Sequence, residues 1–203
     1  DFVGSRGLGD VYKRQIFAIN PWFLDIDDLV EKGFIFISNE ENLGPTNQNK
    51  EHFDFDIADN LTKKLGHLLL QGWSSQTEER KINFNKWISR NSWVEDYSTF
   101  VVIREEFNML PWWEWPKEFK TKNKKFLKSW IKTKNEEILI KKLIQWHLHE
   151  QWSAIKKFAK SRNIRLIGDL PFYVSRDSAD VWSNRSLFSI FKNGDLIFQS
   201  GVP

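Results

Sequence analysis

The sequence predicts an α/β fold, in which helices alternate with the strands of a parallel sheet. Residues 135–162 carry apolar side chains every three to four positions, the period of an amphipathic helix. Asn163 can adopt the left-handed conformation that ends such a helix. The short apolar run 164–167 comes next and predicts a strand that is buried on both faces. Helix, turn and strand together form half of a βαβ unit.

The composition is typical of a globular protein, with 40% hydrophobic and 28% charged residues among 203. No apolar run reaches the length of about 18 residues that a transmembrane helix needs, and no apolar stretch follows a basic start as in a signal peptide. The absence of cysteine excludes disulfides and thiolate metal sites and fits a reducing compartment. We therefore expect a cytoplasmic protein that does not bind membranes.

The first fifteen residues differ from the rest of the chain. Residues 1–15 hold three glycines within six positions, and no helical or strand period continues from them into residue 16 and beyond. They resemble translated adapter sequence at the ends of some metagenomic assemblies. A glycine-rich loop is the alternative, but neither a preceding strand nor the full dinucleotide or P-loop spacing is present. We predict that residues 1–15 are not native and that the domain, residues 16–203, begins near Ile16.

The next elements are short. An extended segment with Pro21 leads to Asp27 as the expected N-cap of a helix that ends at Gly33. The polar residues 39–49 predict a loop. From Ile57 the pattern becomes helical, with one apolar face. That face carries Leu61, Leu65, Leu68 and Leu69.

A mainly helical segment is predicted over about residues 50–135. Ser92 and Glu95 have the spacing of a capping box, which should begin another helix. The inner face of that helix carries Val94, Tyr97, Val101 and Phe107. Residues 111–116 predict a loop, and a second short strand is expected at 196–199.

Lysine is concentrated in residues 117–134, which hold eight lysines, although the formal net charge of the chain is only +3. A solvated helical surface is the simpler interpretation. The alternative is a non-catalytic helical module that binds an acidic partner. Because no arginine or glycine is interleaved with the lysines, we do not expect nucleic-acid binding.

Tryptophan is unusually abundant, with 11 residues. Indole rings suit the apolar faces of sugars, and they also fill protein cores. Four tryptophans on helical apolar stripes are predicted to be core residues: Trp87, Trp93, Trp146 and Trp152. Three others in the motif PWWEWP follow no period, so surface contact and packing both remain possible: Trp112, Trp113 and Trp115.

Metal and cofactor sites are not expected. His147 and His149 flank Leu148, and residues two apart on a helix point to different faces, so a shared metal is not favoured. Helix packing or surface exposure is the expected role of both histidines. No phosphate loop, nicotinamide fingerprint or zinc spacing is present.

Asp169 follows the predicted strand directly. Parallel strands carry functional groups at their carboxyl ends, so this carboxylate is a candidate acid or base, metal ligand or acceptor for substrate hydroxyls. Capping of the following turn is an equally plausible role. Asp177 and Asp180 are expected to be turn and N-cap residues.

The segment RLIGDLPFYVSRDSADVW, followed by NGDLIFQSGVP, closely resembles the 4-alpha-glucanotransferases of glycoside hydrolase family 77, the amylomaltases or disproportionating enzymes. The likeness runs from about Ile16 to Pro203. Other segments resemble the family in the same order: FAINPWFLDIDDLVEKGF, SWVEDYSTFVVIREEF with WWEWP, and QWHLHEQWSAIKKFAKSRNIRLIGD.

The resemblance implies part of a (β/α)8 TIM barrel of the alpha-amylase clan, with a helical insertion and truncation at both ends. Residues 136–170 would supply a helix and barrel strand three, and residues 171–203 would begin the active-site subdomain. The implied activity is transfer of alpha-1,4-glucan segments between maltodextrins through a glycosyl-enzyme intermediate, by a monomer without cofactor. Alpha-glucan hydrolysis is the alternative within the clan.

A retaining mechanism needs two carboxyl groups about 5 Å apart. The resemblance places the catalytic carboxylates of the family on strands four, five and seven, so no catalytic residue is predicted in this chain. Asp169 would support the sugar at the cleavage site. The implied substrate-binding residues are Asp169, Tyr173, Gly201, Val202 and Pro203. Departures from the family pattern occur at Phe172, Ser175, Arg176, Asn184 and Arg185.

Overall fold

A computed structural model describes residues 17–37, 54–168, 174–191 and 193–197. Its α-helices are α1 (Ile26–Glu31), α2 (Phe55–Trp73), α3 (Glu78–Arg90), α4 (Trp93–Glu106), α5 (Lys117–Lys120), α6 (Lys124–Thr133), α7 (Asn135–Ser161) and α8 (Ala179–Ser183). Short 3-10 turns occupy Pro21–Phe23, Trp112–Glu114 and Arg185–Leu187. None of the helices in these ranges is long and apolar enough to cross a bilayer.

Aspartate caps start the first two helices. The Asp25 carboxylate accepts the Asp28 N–H at 3.2 Å, so α1 begins two residues before the position expected from a cap at Asp27. The Asp54 carboxylate accepts the Ile57 N–H at 3.0 Å and starts α2 at Phe55. Each carboxylate satisfies a backbone donor that the first helical turn leaves free.

The predicted capping box at Ser92 is wrong, although α4 forms. Ser92 has helical backbone angles (φ −56°, ψ −26°) and its side chain makes no cap hydrogen bond. An N-cap normally needs an extended backbone to aim its oxygen at the first turn. The preceding residue, Asn91, closes α3 through its N–H to the Ile88 carbonyl at 3.1 Å, so Ser92 is the only residue left before α4 begins.

Helix α7 confirms the strongest prediction from the sequence. It runs to Ser161, and Asn163 follows in the left-handed conformation with φ +57°. The Ile164 N–H donates to the Ala159 carbonyl at 2.9 Å, which satisfies one of the last carbonyls of the helix.

The predicted buried strand at 164–167 is wrong, because these residues pair with no strand in the described ranges and lie in solvent. Ile164 is 53% exposed and Ile167 is 97% exposed. A strand needs neighbours for its backbone donors and acceptors, and the part of the chain that the structure describes offers none. The run also contains Arg165, whose charge a strand buried on both faces would have to desolvate.

The second predicted strand, 196–199, is not formed at residues 196 and 197, the two that the structure describes. Leu196 makes an isolated antiparallel bridge with Ile190, and residues 198–199 lie outside the described ranges. The predicted α/β class is thus represented in the described residues by its helical part.

The chain divides into two compact units. In described residues, the first unit comprises 17–18, 92–138 and 174–197 without residue 192, and the second unit comprises 19–37, 54–91 and 139–168. The core of the second unit centres on Trp146, whose ring lies 5.8 Å from Phe34, 6.0 Å from Trp73 and 5.4 Å from Phe84.

Two glutamines of α7 bind backbone in the second unit. The Gln145 amide accepts the Ile19 N–H at 3.0 Å and donates to the Ile19 carbonyl at 2.8 Å. The Gln151 amide accepts the Asp25 N–H at 3.0 Å and donates to the Asp25 carbonyl at 3.0 Å. Each amide therefore satisfies both backbone groups of one residue, which fixes the segment 19–25 along the helix.

The two histidines of α7 pack against aromatic rings. His147 is 3% exposed and its ring lies 4.3 Å from that of Phe34, while the His149 ring lies 5.3 Å from that of Trp87. Burial lowers the pKa of the His147 imidazole from 6.5 to about 3, and the nearby Asp28 carboxylate opposes that shift only in part. His147 is therefore neutral in the folded protein at ordinary pH.

This burial predicts a loss of stability in mild acid. Below pH 6.5 the unfolded chain binds a proton at His147, whereas in the folded chain this imidazole is protonated only near pH 3. The free energy of unfolding therefore falls as the pH falls from 6.5 to about 3. Between about pH 7 and pH 5 the loss from this residue is about 2 kcal/mol. Urea unfolding at both pH values measures it. His147→Gln should lose that part of the pH dependence, whereas His67→Gln, at an exposed residue of α2, should retain it.

Candidate functional site

The substrate-binding residues implied by the sequence lie outside the described residues: Asp169, Tyr173, Gly201, Val202 and Pro203. Their predicted roles stay predictions. The described residues next to them in sequence, 174–191 and 193–197, belong to the first unit together with the PWWEWP motif. This part of the first unit is the candidate site.

The PWWEWP motif forms the centre of the first unit. Trp112 is fully buried and Trp115 is 3% exposed, whereas Trp113 is half-buried. The Trp115 ring lies 5.2 Å from Phe100 and 5.9 Å from Trp182. Packing is therefore the correct interpretation for Trp112 and Trp115, which a helical period could not reveal because the motif forms a 3-10 turn between prolines.

Trp112 is held by the segment that precedes α8. Its indole N–H donates to the Arg176 carbonyl at 2.7 Å, and its backbone N–H donates to the Asp177 carboxylate at 3.3 Å. The other oxygen of Asp177 lies 2.9 Å from Nη2 of Arg104 in α4. Both charged side chains are at least four-fifths buried, so this ion pair is a structural link between α4 and the motif.

Asp177 therefore does more than stabilise a local turn, and the N-cap of α8 is a different residue. The Ser178 hydroxyl accepts the Val181 N–H at 3.2 Å. Asp180, the other predicted cap residue, lies inside the first turn of α8.

A tight hairpin faces the two tryptophans Trp112 and Trp113. It is closed by the Phe191 N–H to the Asp195 carbonyl at 2.7 Å, and Gly194 has φ +97° at its turn. A Cβ atom on Gly194 would lie 2.8 Å from the Trp112 ring and 2.9 Å from Cβ of Trp113. Glycine is thus needed here both for backbone conformation and for the close approach of the hairpin.

Arg176 fastens this hairpin to Trp113. Its guanidinium lies 3.8 Å from the centre of a Trp113 ring. Nε donates to the Gly194 carbonyl at 2.7 Å, and Nη2 lies 3.0 Å from the Asp195 carboxylate. The charge of Arg176 and the donors on Nε and Nη2 therefore have partners within the unit.

Arg185 stacks on the neighbouring indole in a different way. Its guanidinium lies 4.5 Å from the centre of a Trp112 ring. Nη2 is buried and has no hydrogen-bond partner among the described residues, and burial lowers the pKa of the guanidinium. Of these two arginines, Arg176 is paired, and Arg185 keeps one buried donor without a partner in the described part of the chain.

The lysine-rich segment forms α5, α6 and their flanks. Helix α6 packs its apolar side inward through Leu127 and Trp130, whose ring lies 5.3 Å from Phe119. Lys122 pairs with Asp96 at 2.6 Å, and a hydrogen bond from Lys134 to Glu106 raises the pKa of that lysine. Five further lysines are exposed: Lys117, Lys124, Lys125, Lys128 and Lys132. The lysine-rich segment, residues 117–134, therefore forms a solvated basic surface.

Sequence reasoning missed the roles of Arg104 and Arg185. Arg176 and Arg185 stand at departures from the family pattern, and this was the available signal for them. The sequence around Arg104 gave no such signal, because its partner, Asp177, is distant in sequence. Within the described ranges, no group of three or more histidine, cysteine or acidic residues could hold a metal ion.

Comparison with known proteins adds independent information. A family model described as 4-alpha-glucanotransferase matches residues 13–203. The chain is 32% identical to a 4-alpha-glucanotransferase of Clostridium butyricum, over 99% of this chain and 41% of that protein. It is 31% identical to one of Synechocystis, over 99% of this chain and 40% of that protein. The chain thus spans about two fifths of the length of these relatives.

A solved structure is similar as well. An amylomaltase from Streptococcus agalactiae, determined in complex with acarbose, superposes with a TM-score of 0.76 at 25% sequence identity. The match covers 87% of this chain and 36% of that one. The helical architecture is therefore shared with part of that protein.

Proposed function

The chain belongs to the 4-alpha-glucanotransferase family, glycoside hydrolase family 77, and from this membership we propose that it forms part of an enzyme that transfers alpha-1,4-glucan segments between maltodextrins. The observation that carries the proposal is the family match, which extends over residues 13–203. The similar amylomaltase was solved with acarbose bound, which supports a maltooligosaccharide or alpha-1,4-glucan as the substrate.

In this proposal the chain contributes substrate binding, and the bond-breaking carboxylates belong to the part of the relatives that it does not match. The buried ion pair between Arg104 and Asp177 holds the PWWEWP motif against the segment after residue 173. Such a rigid support suits residues that must position a sugar. Asp169 and Tyr173, just before this segment, are proposed to contact the substrate. A cytoplasmic location stays a prediction, since the relatives include chloroplast proteins.

The test joins this chain to the coding regions that flank it on both sides in its genome, to reach the length of the relatives that it matches. Purified joined protein is incubated with maltotriose, and the products are separated by thin-layer chromatography. Glucose together with longer maltodextrins supports transfer, whereas glucose and maltose alone indicate the clan alternative, hydrolysis. A protein that leaves maltotriose and longer maltodextrins unchanged would contradict the proposal.

The competing hypothesis, an acidic partner for the lysine-rich surface, has a separate signature. Binding through exposed lysines weakens steeply as salt rises. Retention on an amylose matrix that is insensitive to salt supports the glucan proposal. Salt-dependent retention on a polyanion, without retention on amylose, would support the lysine-rich module instead.

Asp169→Ala in the joined protein is expected to lower the rate of maltotriose disproportionation about ten- to hundredfold. The reason is the loss of a hydrogen bond to a buried sugar hydroxyl, which is worth about 1–3 kcal/mol. Initial rates over a range of maltotriose concentrations measure the effect. Asp27→Ala removes an exposed carboxylate of α1 as the control. Unchanged kinetics in Asp169→Ala would show that this aspartate only stabilises its turn.

A further inference from the structure

The hairpin that faces Trp112 and Trp113 carries a reactive pair of residues at its turn. Asn193–Gly194 is the one Asn–Gly pair in the sequence. The side-chain amide of an asparagine can be attacked by the backbone nitrogen of the next residue, and glycine permits this attack best because it has no Cβ atom to obstruct the approach. Asn193 is exposed, so water and hydroxide reach its side chain. The pair is therefore a candidate site of deamidation.

Hydrogen bonds within the hairpin occupy both reacting groups. The Gly194 N–H donates to the Phe191 carbonyl at 2.9 Å. The side-chain oxygen of Asn193 accepts the Asp195 N–H at 3.1 Å, and Nδ2 donates to the Asp195 carboxylate at 2.6 Å. The attack needs the Gly194 nitrogen, without its proton, within about 3–3.5 Å of Cγ of Asn193. The bond from Gly194 must break before the reaction can begin, and the two bonds of the side chain resist its rotation.

Contacts with the PWWEWP motif hold the hairpin in this unreactive arrangement. Gly194 is buried, and a Cβ atom there would lie 2.8 Å from the Trp112 ring. Arg176, which stacks on Trp113, donates to the Gly194 carbonyl at 2.7 Å and lies 3.0 Å from the Asp195 carboxylate. These contacts bind the two residues that follow Asn193. When opening and closing are fast, the population of the released hairpin sets the rate of the reaction.

We propose that Asn193 is a deamidation site whose reaction is controlled by release of the hairpin from the two tryptophans. In the released hairpin, hydroxide removes the proton of the Gly194 N–H, and the nitrogen forms a bond to Cγ of Asn193. The bond from Cγ to Nδ2 breaks, and Nδ2 leaves as ammonia with a proton from water, which restores the hydroxide. Water then opens the five-membered imide at either carbonyl and gives aspartate or isoaspartate.

Either product prevents the hairpin from docking as before. The Nδ2 donor, 2.6 Å from the Asp195 carboxylate, is replaced by a second negative charge, and like charges at this distance repel. Isoaspartate also adds a methylene group to the main chain beside Gly194, where even a Cβ atom has no room. The modification therefore makes release of the hairpin permanent.

The experiment incubates the 203-residue chain in mildly alkaline buffer with and without guanidinium chloride. Peptide mapping by mass spectrometry measures aspartate and isoaspartate at position 193 over time. Because release breaks the hydrogen bonds and the contacts of Arg176, deamidation is expected to be at least about tenfold slower in the folded chain than in the denatured one. Equal rates in both, or no reaction at Asn193 in the denatured chain, would overturn the proposal.

Arg176→Gln tests the contact that holds the hairpin. It removes the ion pair with Asp195 and the cation over Trp113, so deamidation in the folded chain is expected to rise about tenfold. Arg162→Gln is the matched control, because it removes an exposed arginine 4.5 Å from the Phe158 ring, and it should leave the rate unchanged. Near-ultraviolet circular dichroism shows whether each variant is folded. A folded Arg176→Gln chain that reacts no faster would overturn the proposal, and if this variant unfolds, the comparison of folded and denatured unsubstituted chain decides.

Asn193→Asp reproduces one product and tests whether release is permanent. The Phe191 N–H donates to the Asp195 carbonyl at 2.7 Å in the docked hairpin, and its hydrogen exchange is expected to be about tenfold faster in this variant. Asn193→Gly removes the side-chain bonds without adding charge, and its exchange should be slower than that of Asn193→Asp. Exchange in Asn193→Asp at the rate of the unsubstituted chain would show that the hairpin docks again, which contradicts permanent release.

Discussion

Maltotriose incubated with the purified 203-residue chain alone is expected to remain unconverted. A retaining transfer needs a nucleophilic carboxylate and an acid/base carboxyl group about 5 Å apart, and the family resemblance assigns both to strands after the third. The chain matches about two fifths of the length of its relatives. Without that pair, sugar binding cannot be converted into cleavage of the glycosidic bond.

Thin-layer chromatography over a series of protein concentrations measures this result, with the full-length Clostridium butyricum relative as the positive control. Glucose and longer maltodextrins that appear in proportion to the concentration of the chain would contradict the expectation. They would require a carboxylate pair within residues 16–203. Asp169 with Asp177 would then be the first pair to replace.

Arg104→Met is expected to lower the free energy of unfolding by about 3 kcal/mol, because it leaves the Asp177 carboxylate buried without its cation. Urea unfolding measures the loss. Arg104→Met combined with Asp177→Asn should recover part of it, since the uncompensated charge is then removed. Lys81→Met, which breaks the surface pair with the 83% exposed Glu78, is the control and should cost less than about 1 kcal/mol. Equal losses for Arg104→Met and Lys81→Met would show that the buried pair contributes no more than a surface one.

The sequence predicted the helices better than the strands for a physical reason. Helix α7 satisfies its own backbone groups, so the local period in residues 135–162 was sufficient to find it. A parallel strand depends on neighbours distant in sequence, and the run 164–167 has none among the described residues. Hydrophobicity alone could not supply that information.

The tryptophans show the same limit at the level of side chains. Trp146 lies in the core as its helical stripe predicted, but Trp152, on the same stripe, is 42% exposed. The stripe continues along α7 beyond the last buried leucine, Leu148, through Ile155 and Phe158, which are also exposed. A period identifies the apolar side of a helix, but the length over which that side is covered depends on the rest of the fold.

The candidate site was predicted mainly through family resemblance. The motif around residues 165–182 identified the family, which the comparison confirmed, while the roles of Asp169 and Tyr173 stay predictions. Arg104 and Asp177 could not be paired from the sequence, because nothing local records a contact between α4 and the residue before Ser178. Long-range ion pairs of this kind require coordinates.

The two glutamines of α7 align the segment 19–25 mainly through its backbone, and Gln151 also donates to the Asp28 carboxylate at 3.0 Å. Gln145 and Gln151 are six residues apart, and so are the backbone groups of Ile19 and Asp25 that they bind. Since only main-chain atoms are recognised in these bonds, the side chains at 19 and 25 can vary without loss of them. Removal of one residue between the glutamines would instead rotate the second amide by about 100° around the helix axis. The pairing therefore tolerates substitution at positions 19 and 25, but it is lost when the number of residues between Gln145 and Gln151 changes.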